Sequence, residues 1–378
     1  MIYLDNAATS YPKPPSVYRE LVRHITAPMG NPGRSGHRLS REAAGLIYQT
    51  REVLARLCGV KDPTGIVLTS GATASLNMAI HGICRGFHRR GILPLAVTDV
   101  FEHNSVLRPL FALEREGSLR LKILSPEEDG NLSAGHLLSL DPQMVILTCR
   151  SNVTGHHFPL RETLETLRRR GCVVIADGAQ AVGSEPCSPE AFGADILCAP
   201  GHKGLMGIMG AGFLALRPDC PFLPEPLFSG GSGSASFEEE MPPFLPDRLE
   251  AGTPPLAAIA AMGMGASFVL QKGIETIAHG EREMKRLLAE GLSALPQYRM
   301  YEPEYQAGPL LFNHRRLTPE ALADALEKEG VLVRAGYHCA PLAHRYLGTE
   351  ETGAVRLSPG AFTTRNQIQI TLSVLGKL

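Results

Sequence analysis

The segment from Cys172 to Gly212 constrains this chain more than any other. Cys172-Val-Val-Ile-Ala-Asp177 is an apolar run of strand length that ends on a carboxylate, followed by Gly178-Ala179-Gln180. Asp195-Ile-Leu-Cys-Ala-Pro200 is a second such run, and it delivers Gly201-His202-Lys203. Apolar runs without alternation belong to strands buried on both faces of a parallel sheet. Ligands of such sheets sit at the carboxyl edge of the strands. An acid after one strand and a lysine after another are what a pyridoxal phosphate site needs. The carboxylate keeps the pyridine nitrogen protonated, and the amine condenses with the aldehyde.

The pattern recurs upstream. Residues 66–69 read as a strand running into Ser70-Gly71-Ala72-Thr73, from which a helix departs. Free N–H groups and the dipole at such a helix start favour a phosphate. Strands at 95–98 and 144–149 end near His103 and Asn152. Strands alternating with helical segments imply an α/β fold with a mainly parallel sheet covered on both faces. His103, Asn152, Asp177 and Lys203 all fall just past strand ends, a convergence that architecture alone does not require. The glycines at 204, 207, 210 and 212 feed a strand instead of opening a helix, so they are not a dinucleotide fingerprint.

At about 150 residues per domain, 378 residues imply at least two domains. Residues 16–253 read as a large cofactor-binding domain, and 1–15 with 254–378 as a smaller C-terminal α/β domain completed by the N-terminal strand. In the latter, long helical segments precede strands near 309–312, 331–334 and 354–357; Thr318-Pro319-Glu320 starts a helix that stops at Gly330, and another runs from Thr364. Near the front, Ser40 is the expected cap of a long helix. Residues 229–236, rich in Gly and Ser, read as a mobile loop or linker.

With 37 basic and 38 acidic residues, charge makes no case for nucleic acid or an anionic membrane. The first residues lack the sections of a signal peptide, so a cytoplasmic location is expected. The uncharged stretch 254–270 reads as a buried helix. The eight cysteines form no C-x-x-C pair, which speaks against a metal site and against a disulfide framework. Cys58, Cys149, Cys172 and Cys198 sit in apolar runs and are expected in the core. Cys339, flanked by Arg334, Gly336 and His338, reads as a reactive thiol, its pKa lowered by Arg334 and His338.

From Leu4-Asp5-Asn6-Ala7-Ala8-Thr9, through Ser70-Gly71-Ala72-Thr73, Glu102-His103, Ser151-Asn152, Asp177-Gly178-Ala179-Gln180 and Gly201-His202-Lys203, to Glu250-Ala251-Gly252-Thr253-Pro254 and Arg334-Ala-Gly-Tyr-His338-Cys339, the chain resembles the class V aminotransferases. Within that family it is similar to the cysteine desulfurases and selenocysteine lyases, with the Arg-x-Gly-x-His-Cys pattern of the second desulfurase group. The resemblance implies pyridoxal phosphate fold type I, aspartate aminotransferase-like, with a mainly parallel seven-stranded sheet sandwiched by helices.

It also implies roles. Lys203 looks like the Schiff-base lysine, and Asp177 like the partner of the pyridine nitrogen. His103 would stack on the ring, while Gln180 and Asn152 would bond near its phenolic oxygen and the substrate. Ala72, Thr73 and His202 would hold the phosphate, and Thr253 would reach the phosphate of the other subunit of a homodimer. Arg356 would grip the substrate carboxylate, with Ala8 and Arg34 on the substrate side. Cys339 would be the nucleophile that takes sulfur from L-cysteine, leaving L-alanine and a persulfide for an acceptor protein. Pro200 departs from relatives that commonly carry a hydroxyl there, removing one phosphate bond. The alternatives are a selenocysteine lyase, another class V aminotransferase or lyase acting on a small amino acid, or a binding protein that keeps the fold without turnover.

Overall fold

The computed structural model describes residues 1–33, 35–301 and 308–378. A short strand, β1 (Ile2–Tyr3), leads to helices α1 (Pro15–Thr26) and α2 (Arg38–Leu57). Strands and helices then alternate: β2 (Ile66–Thr69), α3 (Ala72–His88), β3 (Leu95–Asp99), α4 (Asn104–Arg115), β4 (Arg120–Leu124), α5 (Ala134–Ser139) and β5 (Met144–Thr148). After α6 (Arg161–Arg169) come β6 (Val173–Asp177), α7 (Pro189–Phe192), β7 (Ile196–Pro200) and β8 (Gly212–Leu216). These strands form one seven-stranded sheet in the order β2-β8-β7-β6-β5-β3-β4. Only β8 runs against its neighbours.

The apolar strands follow from burial on both faces. Val173 and Ile175 of β6 belong to the cluster built with Ile80 and Ile83 of α3 and Leu110 of α4. Val174 and Ala176, pointing the other way, join Leu54 of α2 and Leu164 of α6. Each fully buried aliphatic side chain contributes about 1.5–3 kcal/mol, so a polar residue on either face of β6 would be selected against. Asp195, just before β7, is fully buried but satisfied. It accepts from Arg168 Nε of α6 at 2.7 Å and from the Val174 N–H at 2.8 Å, which ties the two central strands and a covering helix together.

The remainder comprises α8 (Leu256–Lys272), α9 (Ile274–Ser293), β9 (Tyr298–Tyr301), β10 (Leu310–His314), α10 (Pro319–Lys328), β11 (Val331–Leu332), β12 (Arg334–Gly336), α11 (Pro341–Tyr346), β13 (Ala354–Leu357) and α12 (Arg365–Leu375). Four of its strands make an antiparallel sheet, β12-β13-β10-β9. The N-terminus closes this part: β1 pairs with β11 in parallel, and Ile2 and Leu4 enter the cluster of Leu288, Phe312 and Val355. Thr318 caps α10, and Thr364 forms a capping box with Gln367 on α12. At α2 the expected cap is corrected. The helix starts two residues earlier, at Arg38, so His37 is the cap and its Nδ1 accepts from the Ser40 N–H at 3.2 Å, while the Ser40 hydroxyl donates to the Asn31 carbonyl at 2.6 Å.

Helix α8 lies against α1 and α2, and against the loop that follows Lys203. Glycine makes that approach possible: a Cβ on Gly265 would stand 1.9 Å from the Leu205 carbonyl oxygen. Gly265→Ala is therefore expected to lower the urea midpoint of unfolding, by about 1–3 kcal/mol of stability or more, and to shift the Lys203 loop. An unchanged midpoint would show that α8 yields freely there. Helices α8 and α9 meet at 84°, and no single helix among the described residues is long and apolar enough to cross a membrane.

Candidate active site

Strand register brings the acid and the amine to one edge. Asp177 ends β6 opposite Cys198 of β7, and the Gly178 N–H donates to the Cys198 carbonyl at 2.8 Å. Paired strands lie about 4.8 Å apart, so the loop carrying Lys203 departs beside the Asp177 carboxylate. Asp177 is buried, and its Oδ1 accepts from the Ala179 N–H at 2.9 Å. Burial raises its pKa, while that N–H and the Lys203 charge pull it down. Lys203 responds in the opposite sense. Burial, with Arg356 and Arg334, brings its amine down to about 8 against the pull of Asp177.

Lys203 lines a cavity of about 410 Å³ between the sheet edge and the small antiparallel sheet. Ala72 and Thr73 form one end of it, at the start of α3, where Gly71 supplies no side-chain cap. Gly71 has a φ of 151°, which favours glycine, and the chain passing beside it must also be glycine, since a Cβ on Gly212 would stand 2.6 Å from Gly71 Cα. His202 shares this lining, and its buried Nδ1 has no hydrogen-bond partner. Burial, Lys203 and Lys13 hold its pKa at about 4, so the ring is neutral. A helix start with open N–H groups, an orphaned imidazole nitrogen, a buried carboxylate and an amine of lowered pKa fit a phosphorylated pyridine aldehyde.

His103 reaches the same cavity from the amino end of α4, which it caps. Its Nδ1 accepts from the Ser105 N–H at 3.0 Å, which puts the ring proton on Nε2. Burial, then Lys203, Arg334, Arg356 and Arg108, keep its pKa near 4. The Ser105 hydroxyl lies 2.9 Å from His103 Nδ1 and 2.8 Å from Thr73 Oγ1, linking His103 to the start of α3. The Thr73 hydroxyl is thus already partnered.

At the other end Arg356 is 1% exposed. It donates to the Asn152 carbonyl at 2.9 Å and to Asp5 Oδ1 at 2.7 Å, and its buried Nε has no partner. A guanidinium has five N–H donors, so these two bonds leave enough for a carboxylate. Ala8 and Asn152 also line the cavity. The Asn152 amide donates to the His338 carbonyl at 2.6 Å, and the Asn104 N–H donates to the Cys339 carbonyl at 2.8 Å. These two bonds pin the Cys339 loop to the cavity rim. Cys339 is the one exposed cysteine, and an Arg334 guanidinium nitrogen lies 3.9 Å from its sulfur.

One expectation about this loop is corrected. His338 brings no positive charge to the thiol: its ring turns inward, and burial with Arg356 nearby drives its pKa down to about 2. Two further residues stand off the main cavity. Gln180 donates to the Ala7 carbonyl at 3.0 Å and lines a pocket of about 40 Å³ that shares Ala7 and Lys203 with the main cavity. Thr253 opens on a third cavity, of about 390 Å³, beside the Arg51–Glu250 ion pair. Arg34 lies outside the described residues. Asp5, Ser105 and Asn104 were not anticipated as partners. Asp5 and Asn104 stand inside or beside motifs, which was the only signal available for them.

The profile of the aminotransferase class-V family matches residues 2–370. A probable cysteine desulfurase of Synechocystis sp. is 29% identical over 384 residues, covering 99% of this chain and 90% of that protein. A cysteine desulfurase of Klebsiella pneumoniae is 30% identical over 92% of this chain and 86% of its own length. Among solved structures, the apo cysteine desulfurase of Thermococcus onnurineus superposes with a TM-score of 0.89 at 27% identity, covering 100% of this chain and 94% of that one.

Proposed function

Because the chain belongs to the class V aminotransferases and is a cysteine desulfurase-like enzyme of that family, we propose that it is a pyridoxal phosphate-dependent cysteine desulfurase that moves sulfur from L-cysteine onto Cys339. The observation that carries this reading is the placement of the single exposed thiol on a loop bonded through Asn152 and Asn104 to the rim of the Lys203 cavity.

Family membership implies pyridoxal phosphate, and the residues fit it. The start of α3 and His202 would hold the phosphate, Asp177 the ring nitrogen, and Lys203 the aldehyde carbon, with His103 against the ring. When bound, the cofactor supplies an electron-accepting ring that stabilises negative charge at the substrate Cα. The chain does the rest. Arg356 orients the substrate through its carboxylate. Lys203 Nζ, neutral above about pH 8, accepts the Cα proton. The Cys339 thiolate attacks the substrate sulfur; the new S–S bond forms as the C–S bond breaks, and its electron pair takes a proton to give the alanine methyl group. One thiol and one cysteine thereby become one persulfide and one alanine, with no external oxidant.

Two further parts of this reading concern partners. Thr253 lines not the Lys203 cavity of its own subunit but the one that adjoins it at Ser70 and Ala74, which supports a homodimer in which it serves the neighbour's phosphate. An exposed persulfide on Cys339 supports transfer to an acceptor protein. The test is to incubate the purified enzyme with L-cysteine and a thiol reductant and to quantify products. Alanine and sulfide in equal amounts are expected. Pyruvate and ammonia instead of alanine would overturn the reading, and a large preference for selenocysteine would move it to the lyase alternative.

A further inference from the structure

Behind the Cys339 loop lies a pair of buried histidines that the chemistry above does not use. His338 is 2% exposed and His344, on α11, is fully buried. Their rings stack at a centroid distance of 5.3 Å and 17° between planes, with His338 Nδ1 3.1 Å from His344 Nε2. At one end His338 Nε2 lies 3.3 Å from the Arg334 carbonyl oxygen, and at the other His344 Nδ1 lies 2.8 Å from Thr349 Oγ1.

The carbonyl fixes the direction of this chain. A carbonyl oxygen only accepts, so His338 carries its proton on Nε2 and offers a bare Nδ1. His344 must then donate from Nε2, which leaves its own Nδ1 to accept from the Thr349 hydroxyl at 2.8 Å, nearer than the His344 carbonyl oxygen that the same hydroxyl meets at 3.3 Å. Burial holds both rings neutral, with His344 lowered to about 4. Every ring nitrogen is thereby satisfied in one tautomer only.

The loop needs such a hold. His338 and Cys339 have φ values of 52° and 58°, consecutive left-handed residues that both carry side chains. That conformation is disfavoured without glycine and persists only where the surroundings over-determine it. The backbone carbonyls of both residues are bonded to Asn152 and Asn104. The side chain of His338 is the remaining handle, and His344 grips it.

We propose that His344, donating to His338 and oriented by Thr349, is a positioning residue that sets where the Cys339 sulfur stands relative to the bound substrate. The proposal rests on the desulfurase reading, and the experiment separates the two. His344→Phe keeps a flat ring beside His338 but donates nothing; His344→Gln restores an N–H donor at the place of Nε2. Since a misplacement of about 1 Å costs about 100-fold, alanine formation by His344→Phe is expected to fall by about 10- to 100-fold in kcat with KM little changed. Exchange of the Cα proton of L-alanine in D2O, which needs Lys203 but no thiol, is expected to stay at the wild-type rate. His344→Gln is expected to recover most of the lost kcat.

Equal losses in the Phe and Gln variants would make His344 mere packing and overturn the proposal, as would full kcat in His344→Phe. Should His344→Phe fail to fold, Thr349→Val decides, because it leaves both imidazoles in place and removes only the hydroxyl that orders them; full kcat there overturns the proposal. Alkylation by iodoacetamide gives a second readout, since the other cysteines are buried or half-buried. A Cys339 alkylation rate that shifts in His344→Phe and returns in His344→Gln supports the proposal even if wild-type protein makes no alanine; an unshifted rate in that case overturns it.

Discussion

Lys203→Ala is expected to yield a folded protein that binds pyridoxal phosphate without the absorbance near about 420 nm of a lysine-bound aldehyde. Its alanine formation is expected to fall by about 1000-fold or more, since general base catalysis alone contributes about 10²–10⁴. Stability should not suffer, because the amine is held against its burial cost. The pH dependence follows from the lowered pKa. In the folded apoprotein the amine loses its proton near 8, whereas in the unfolded chain it keeps it to about 10.4. Between those values the unfolded state binds more protons, so apoprotein stability contributed by this residue rises with pH, and Lys203→Ala removes that slope. Cofactor uptake, which needs the neutral amine, is expected to quicken as pH rises through 8. Thermal melts and absorbance time courses at pH 6 to 10 check both. Wild-type turnover in Lys203→Ala would end the assignment.

Cys339→Ala separates the sulfur step from the cofactor chemistry. Its side chain is exposed and packs into no core cluster, so stability is expected to stay within about 0.5 kcal/mol. The yellow colour and the exchange of Cα protons should persist, while alanine from L-cysteine drops by about 1000-fold, the scale on which removing an activated nucleophile acts. Product analysis by amino-acid chromatography reads the outcome. Full desulfurisation by the variant would mean that Cys339 is not the acceptor of sulfur.

Lys203 with its partner Asp177, and Cys339, were legible for different reasons. Asp177 and Lys203 follow unbroken apolar runs, and a strand buried on both faces has only its end at which to present a charge. Cys339 stood out by its neighbours, Arg334 and His338, yet it is Arg334 that approaches the sulfur; His338, although adjacent in sequence, is buried while Cys339 is exposed, because the left-handed turn at 338–339 sends one side chain inward and the next outward. Local rules also misplaced the start of α2: the helix begins two residues before Ser40, so His37 caps it and the Ser40 hydroxyl bonds the Asn31 carbonyl instead. Arg356 and Thr253 show the limit at long range. The bond from Arg356 to Asp5 spans nearly the whole chain, and Thr253 lines a cavity in which its near neighbour Glu250 is bound to the distant Arg51 and to the Leu68 N–H.

What the amino-acid order determined by itself was periodicity: which runs are strands buried on both faces, which helices follow them, and therefore which acid and which amine meet at the carboxyl edge. That information is local, because burial imposes hydrophobicity residue by residue. The tertiary structure alone decided the partners of Arg356, the direction of the His338–His344 chain and the separation of Thr253 from Lys203. Those depend on contacts between segments far apart in sequence, which no local pattern encodes.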